Sequence, residues 1–175
     1  MAERTGIPPF QRFLDEHRTP VFRFLLASVG PNEVDDVFQE TFLAALRGYP
    51  KLRHGDNLRA WVLAIATRKA IDASRARARR PQPAADVADL LVEESVALRY
   101  ATCPELPGDV AGEPLWDDVL ALPPRQRVAL VHRILLDRPY PELAAAMGTS
   151  VEAARANVYQ ALKKLREEWL SRERV

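Results

Sequence analysis

The sequence predicts an all-α protein: two small helical domains joined by an acidic, proline-containing linker, the C-terminal domain a helix-turn-helix. Three observations predict it. Apolar residues recur at i, i+3 and i+4 through most of the chain. Prolines and glycines gather at Pro81, Pro83, Pro104, Pro107, Gly108, Gly112 and Pro114, where long elements end. Charge alternates along the chain, and 25 Lys plus Arg against 24 Asp plus Glu hide it. Residues 51–80 carry 9 cations and 2 acids, residues 81–122 carry 1 and 9, and residues 123–175 carry 10 and 6. Two basic modules with an acidic spacer suit a polyanion contacted twice. With 47% hydrophobic and 28% charged residues the chain is not expected to be disordered. A lone cysteine, Cys103, and no long apolar run point to a soluble protein of a reducing compartment.

The first helix is read from Phe10, Phe13, Leu14 and His17, with Thr19-Pro20 as the N-cap and first-turn proline of a continuing or kinked helix through Val21, Leu25 and Ala27. Gly30-Pro31 breaks it. In the second, Val34, Val37, Phe38, Thr41, Phe42, Ala45 and Leu46 form the apolar stripe, Asn32 is placed to cap and Gly48 to stop it. Its other face is Asp36, Gln39, Glu40, Leu43 and Arg47. A third helix from Leu58 to Arg79 buries Trp61, Val62, Ile65, Ala66 and Ala70, and aligns Arg68, Asp72, Arg75 and Arg79 on one stripe. The loop before it, Tyr49 to Asn57, holds an aromatic, two cations and His54. Arg75, Arg77, Arg79 and Arg80 follow one another with no interleaved acid, which favours polyanion binding over a solvated helix end.

In the spacer, Asp86 to Tyr100 is at most a short helix around Val87, Leu90, Leu91 and Leu98. Beyond it Trp116, Val119 and Leu120 mark a short element that ends at Leu122-Pro123-Pro124, and Val128, Val131 and Leu135 mark the next. Tyr140 to Met147 is a short helix with Pro141 in its first turn, Gly148 supplies a left-handed turn, and Ser150 caps a long helix with Glu152 near its positive end. Val151, Ala154, Val158, Leu162, Leu165 and Trp169 are its expected buried stripe, and Ala144 lets the two helices approach closely. Arg155, Ala156, Tyr159, Gln160 and Lys163 are left on the outer face, where arginine and amides can pair with base edges and lysine can hold phosphate.

Four pieces in this order, Asp36 to Leu43, Asn57 to Val62 with Ala70 to Asp72, Leu122 to Arg127, and Tyr140 with Glu142 to Ala144, resemble the extracytoplasmic-function (group 4) sigma factors, promoter-specificity subunits of bacterial RNA polymerase. The resemblance implies a promoter-melting domain over residues 1–80, a linker over 81–113 that threads the polymerase cleft, and a domain for the minus-thirty-five element over 114–175. It places Asp36, Gln39, Glu40 and Leu43 against the β′ coiled coil of core polymerase, with the β subunit as a further contact. Arg59, Trp61, Arg68, Lys69, Arg75, Arg77, Arg79 and Arg80 would lie along minus-ten DNA, the loop before them capturing a flipped base. The apolar pattern itself favours Trp61 as a core residue. Arg155, Ala156, Tyr159, Gln160 and Lys163 take the minus-thirty-five reading positions. Asn157 and Gln160 stand where the family often carries basic residues, and Thr67-Arg68 where Arg-Asn is usual, which implies fewer phosphate contacts and a different preferred sequence.

An anti-sigma factor is a further partner that the resemblance admits; membrane insertion and cofactors are not expected, and the location is cytoplasmic, on the nucleoid when polymerase-bound. A stand-alone helix-turn-helix repressor would need a dimerisation element that is not evident. A sigma-mimicking decoy that binds a regulator would lose the basic stripes, which are full in the first module and thin in the second. An enzyme fits least, since His17, His54 and His132 are dispersed, and no metal-ligand or phosphate-loop spacing is present.

Overall fold

The computed structural model describes residues 6–79 and 114–172, and every regular element in them is helical. The N-terminal domain holds α1 (Phe10–Val29), α2 (Pro31–Gly48), a 3-10 turn (Tyr49–Lys51) and α3 (Leu58–Arg79). The C-terminal domain holds α4 (Pro114–Ala121), α5 (Pro124–Leu135), α6 (Tyr140–Met147) and α7 (Val151–Arg172). Arg80, the short helix considered over 86–100, and Cys103 lie outside the described residues.

Pro20 neither starts nor breaks a helix: α1 runs through it, and Thr19 is helical instead of an N-cap. An interior proline costs about 3 kcal/mol through its missing N–H and ring clash. Burial of Phe13, Val21, Phe24, Leu25 and Leu26 outweighs it, at about 1.5–3 kcal/mol per large side chain. Nor does Asn32 cap α2. The helix begins two residues earlier than such a cap would start it, with Gly30 at φ 87° turning the chain and Pro31 supplying the helical φ of the first position. Gly48 likewise does not stop α2 by a left-handed turn, being right-handed at φ −83° and leading straight into the 3-10 turn. Its missing side chain instead makes room for an aromatic, because a Cβ there would lie 3.1 Å from Trp61 Cζ2. Around that contact the Phe13 ring meets those of Tyr49 (5.0 Å), Trp61 (5.8 Å) and Phe42 (6.4 Å), and Tyr49 Oη donates to the Pro8 carbonyl at 2.6 Å. Leu46 was expected in the stripe and is 49% exposed, next to Leu43 at 52%.

In the C-terminal domain Gly148 takes up the left-handed conformation (φ 61°, ψ 46°). Thr149 N–H donates to the Ala144 carbonyl and Gly148 N–H to that of Ala145, a Schellman closure of α6. Ser150 Oγ accepts from Ala153 N–H at 3.1 Å and starts α7. Ala144, Ala154, Val158 and Ala161 are buried at the crossing. Three expected core residues are not: Leu135, Leu162 and Trp169 are exposed. Leu135 is the last residue of α5, and Leu162 and Trp169 lie off the side of α7 on which Ala161 and Leu165 meet the core; the helix spans about 33 Å at 1.5 Å per residue. Its far end is tied back to α4 by a two-pronged pair, Arg172 to Asp118, at 2.6 and 2.9 Å.

The two domains are packed together, α1 and α3 against α5 and α6. His132 stacks edge-on against Phe24 at 5.8 Å, and Leu120 lies 3.6 Å from where a Cβ on Gly30 would sit. Arg127 donates to the Leu120 carbonyl at 2.6 Å and to Ser74 Oγ of α3 at 3.4 Å. One apolar core runs through both domains.

Gly148→Ala should lower the unfolding free energy by about 1–2 kcal/mol, the cost of a Cβ in the left-handed region. Urea unfolding with an unchanged slope would show it, whereas no loss would mean that the turn relaxes.

Candidate nucleic-acid interface

The outer face of α2 offers Asp36, Gln39, Glu40 and Leu43, all exposed and one helical turn apart. The two carboxylates on this face would repel a phosphate backbone. Glu40 is paired across to Lys69 of α3 at 2.8 Å, so this face and the basic helix beside it are tied at one point.

On α3, Asn57 Oδ1 accepts from Ala60 N–H and fixes the helix start beside Arg59. Arg59, Asp56 and Gly55 form one wall of an open concavity of about 560 Å³, and Arg12, Glu16 and His17 of α1 form another. Gly55 presses on the Gly6 carbonyl, so a side chain there would push loop and N-terminal segment apart. Burial holds the His17 imidazole below its ordinary pKa; Glu16 opposes this and Arg59 adds to it. Of the residues expected along minus-ten DNA, Arg59, Arg68, Arg75, Arg77 and Arg79 are exposed, and Lys69 is half-buried against Glu40. Trp61 is half-buried with its ring between those of Phe13 and Tyr49 (5.8 and 6.2 Å), the packing that its place in the apolar pattern favoured. Arg80 lies outside the described residues.

On α7, Arg155, Ala156, Tyr159, Gln160 and Lys163 share one exposed face, with Tyr159 at 65% exposure. Arg155 lies 5.3 Å over the Tyr140 ring, which also carries Arg133 at 5.6 Å. Sequence reasoning cited Tyr140 for its place before the turn and missed this steering of Arg155. Lys163 reaches Glu167 at 3.8 Å. Asn157 is occupied inside the helix, its amide donating to the Ala153 carbonyl at 2.7 Å. Glu152 is held below the usual carboxylate range by its own backbone N–H and by the Ser150 hydroxyl.

Two polar residues of α5 also went unflagged as functional: Arg127 and His132, both buried at the seam between the domains. Burial depresses the Arg127 pKa, Arg77 adds to this, and Glu33 opposes it. Burial pushes the His132 imidazole down to about 4, with Arg138 adding and its own backbone hydrogen bond opposing. Both share the helix face of Val128 and Val131, the one signal that could have placed them inside.

Residues 13–80 match Sigma-70 region 2, and residues 117–165 match Sigma-70, region 4. The chain is thus built on the sigma-70 plan. It is 30% identical over 163 residues to the ECF RNA polymerase sigma factor SigD of Mycobacterium bovis, covering 89% of this chain and 74% of that protein. With SigG of Mycobacterium tuberculosis the identity is 29% over 191 residues, covering 94% of this chain and 52% of that protein. The chain therefore spans about half the length of SigG. Two solved structures share the fold. The sigma factor RpoE, in complex with the anti-sigma factor NepR from Bartonella quintana, gives a TM-score of 0.65 at 19% identity over 90% of this chain and 94% of that one. CnrH, in complex with the cytosolic domain of CnrY, gives 0.55 at 23% identity over 93% and 88%. The chain belongs to the ECF RNA polymerase sigma factors.

Neutral His132 is compatible with the docked core; the imidazolium is not. Its pKa is about 4 folded against 6.5 unfolded, so its share of stability is whole above pH 6.5 and is lost as the pH falls toward 4. The loss is on the order of 3 kcal/mol. Phe24 faces the ring from α1, and Arg68, Arg138 and Glu142 line the cavity beside it, so acid adds a charge next to cations. His132→Phe should flatten the pH dependence of the melting temperature between 6.5 and 4; an unchanged slope would assign the titration elsewhere.

Proposed function

We propose that this chain is a promoter-specificity subunit: it binds core RNA polymerase, directs it to particular promoters, and helps melt the minus-ten region. The domain over residues 1–80 docks on polymerase through Asp36, Gln39, Glu40 and Leu43 and holds minus-ten DNA along Arg59, Arg68, Lys69 and the arginines from Arg75 to Arg80. Residues 81–113 are the linker, and residues 114–175 read the minus-thirty-five element. The observation that carries this reading is the outer face of α7, where Arg155, Tyr159, Gln160 and Lys163 stand together behind a Schellman turn. Arg155 falls in the early turns that enter a major groove, with a planar fork matched to guanine O6 and N7. Lys163, two turns on, is placed for phosphate.

The concavity between Arg59 and His17 is wide enough for an unstacked base, which supports capture of a flipped nucleotide there. Trp61 contributes by packing the α2–α3 corner that holds this site. The chain carries no catalytic step of its own; polymerase makes RNA, and the complex works in the cytoplasm, on the nucleoid. The solved relative RpoE is held by an anti-sigma factor, and a partner of that kind is proposed here.

Asp36→Ala with Gln39→Ala should weaken core-polymerase binding about tenfold with helicity unchanged. Wild-type retention in a pull-down would remove polymerase from this face. Arg155→Ala should cost about 1–3 kcal/mol on the preferred upstream duplex and relax discrimination, whereas Lys163→Ala should weaken all duplexes alike. Competition across an upstream-element library measures both. If wild type shows no preference and Arg155→Ala changes nothing, α7 binds a regulator instead of DNA.

A further inference from the structure

Where α6 lies along α3, the two helices leave a cavity of about 250 Å³ between them. It holds the volume of about eight liquid waters, just below the range of drug-sized sites. Its walls are aliphatic, Leu63 and Ala64 of α3 facing Ala145 and Ala146 of α6, so the room comes from short side chains. Four polar groups line it: Arg68 of α3, His132 of α5, Arg138 just before α6, and Glu142 in its first turn. An apolar cavity with a few polar side chains has the composition of a ligand site.

Charge narrows the ligand. Glu142 already holds Arg138 at 3.2 Å, whereas Arg68 makes no ion pair among the described residues, so the lining carries one positive charge in excess. His132 is 3% exposed, and its Nδ1 is buried with no hydrogen-bond partner. Burial beside Arg138 keeps that imidazole neutral at pH 7, so it adds a hydrogen-bonding group without a charge. A dianion such as phosphate would outweigh the one excess cation and leave the aliphatic walls against water. A neutral molecule would forgo the guanidinium. A monocarboxylate with a small apolar body meets all three demands: two oxygens for a planar fork, an acceptor for an imidazole N–H, and hydrocarbon for the walls.

We propose that this cavity binds a small monocarboxylate, with Arg68 as its charge partner and His132 as its hydrogen-bond donor. On the promoter-subunit reading Arg68 also faces minus-ten DNA, so a ligand seated here takes one guanidinium away from the phosphate backbone. That consequence rests on the promoter-subunit reading; the site itself does not.

Benzoate, benzamide and inorganic phosphate serve as probes of the full chain, read by NMR of its three histidines, His17, His54 and His132. Benzoate should move the His132 imidazole signals saturably, with a Kd on the order of 1 mM, and leave those of His17 and His54 in place. Benzamide, which lacks the charge, and phosphate, which lacks the apolar body, should each bind about tenfold more weakly or worse. Arg68→Gln, at an exposed side chain, should weaken benzoate about tenfold. Ala64→Met, which fills the cavity with a good helix former, should abolish the shift at unchanged helicity. A His132 signal that ignores benzoate up to about 20 mM would overturn the proposal. So would a shift that survives Ala64→Met, or wild-type affinity in Arg68→Gln, which decides alone if Ala64→Met loses helicity. Movement of His17 instead would put the ligand in the larger concavity beside Arg59 and overturn this site. Equal affinity for benzamide or for phosphate would overturn the choice of a monocarboxylate.

Benzoate should also lower the affinity of the wild-type chain with core polymerase for a fragment recovered from a promoter library, and leave Ala64→Met unaffected. No effect with benzoate seated would overturn the competition for Arg68. A chain that recovers no promoter fragment fails the promoter-subunit reading, while the His132 signals still judge the site.

Discussion

Everything in this molecule leans on α3, a helix packed on two sides at once. One side turns Trp61 toward Phe13 and Tyr49, closing the three-helix domain around an aromatic cluster that needs Gly48 to have no side chain. The other turns Leu63 and Ser74 toward α5 and α6. The third surface, left to water, holds Arg68, Asp72, Arg75 and Arg79. A helix shared in this way cannot change its lean on one neighbour without moving what it shows to the others, because packed interiors transmit strain instead of absorbing it.

That double packing also explains which features were legible beforehand. Helices with one buried stripe, such as α2, could be read from spacing, and its exposed acidic face fell where expected. The two-sided α3 could be read only in part. Trp61, Val62, Ala66 and Ala70 stood out, whereas Leu63 and Ser74 answer to a second partner far along the chain, and with buried Thr67 and Ile71 they blur the single period. The outer face of α7 was visible because Ala154 and Val158 mark the crossing, but Leu162 and Trp169 lie off the side that the neighbouring helices cover, while Ala161 and Leu165 lie on it. Pattern reports what a helix could bury, not which side its neighbours take. Termini were legible unevenly. Asn32 was chosen by residue type, and the chain turned instead on Gly30-Pro31; α2 does end at Gly48, but by passing into a 3-10 turn and not by a left-handed glycine.

Electrostatics divides along the same lines. Exposed pairs such as Lys69–Glu40 and Lys163–Glu167 are worth about 0–1 kcal/mol each and are screened by salt. They set direction more than stability: Glu40 holds Lys69 toward α2, and Tyr140 holds Arg155 above α6. Buried Arg127 and His132 act differently, since a polar atom without a partner in the core costs about 1–3 kcal/mol. Their presence makes the domain junction weaker than its apolar residues alone would make it.

The pair between Asp118 and Arg172 has a mechanical consequence. Helix α7 is gripped at its start by the Gly148 turn and the Ser150 cap, and at its far end by α4, whose first residue follows the chain segment between the domains. Through two charge-assisted bonds that first helix of the domain is joined to the tip of a rod about 33 Å long. Fastened at both ends and packed between them on α5 and α6, the rod presents Arg155, Tyr159 and Lys163 as one rigid face instead of three independent side chains.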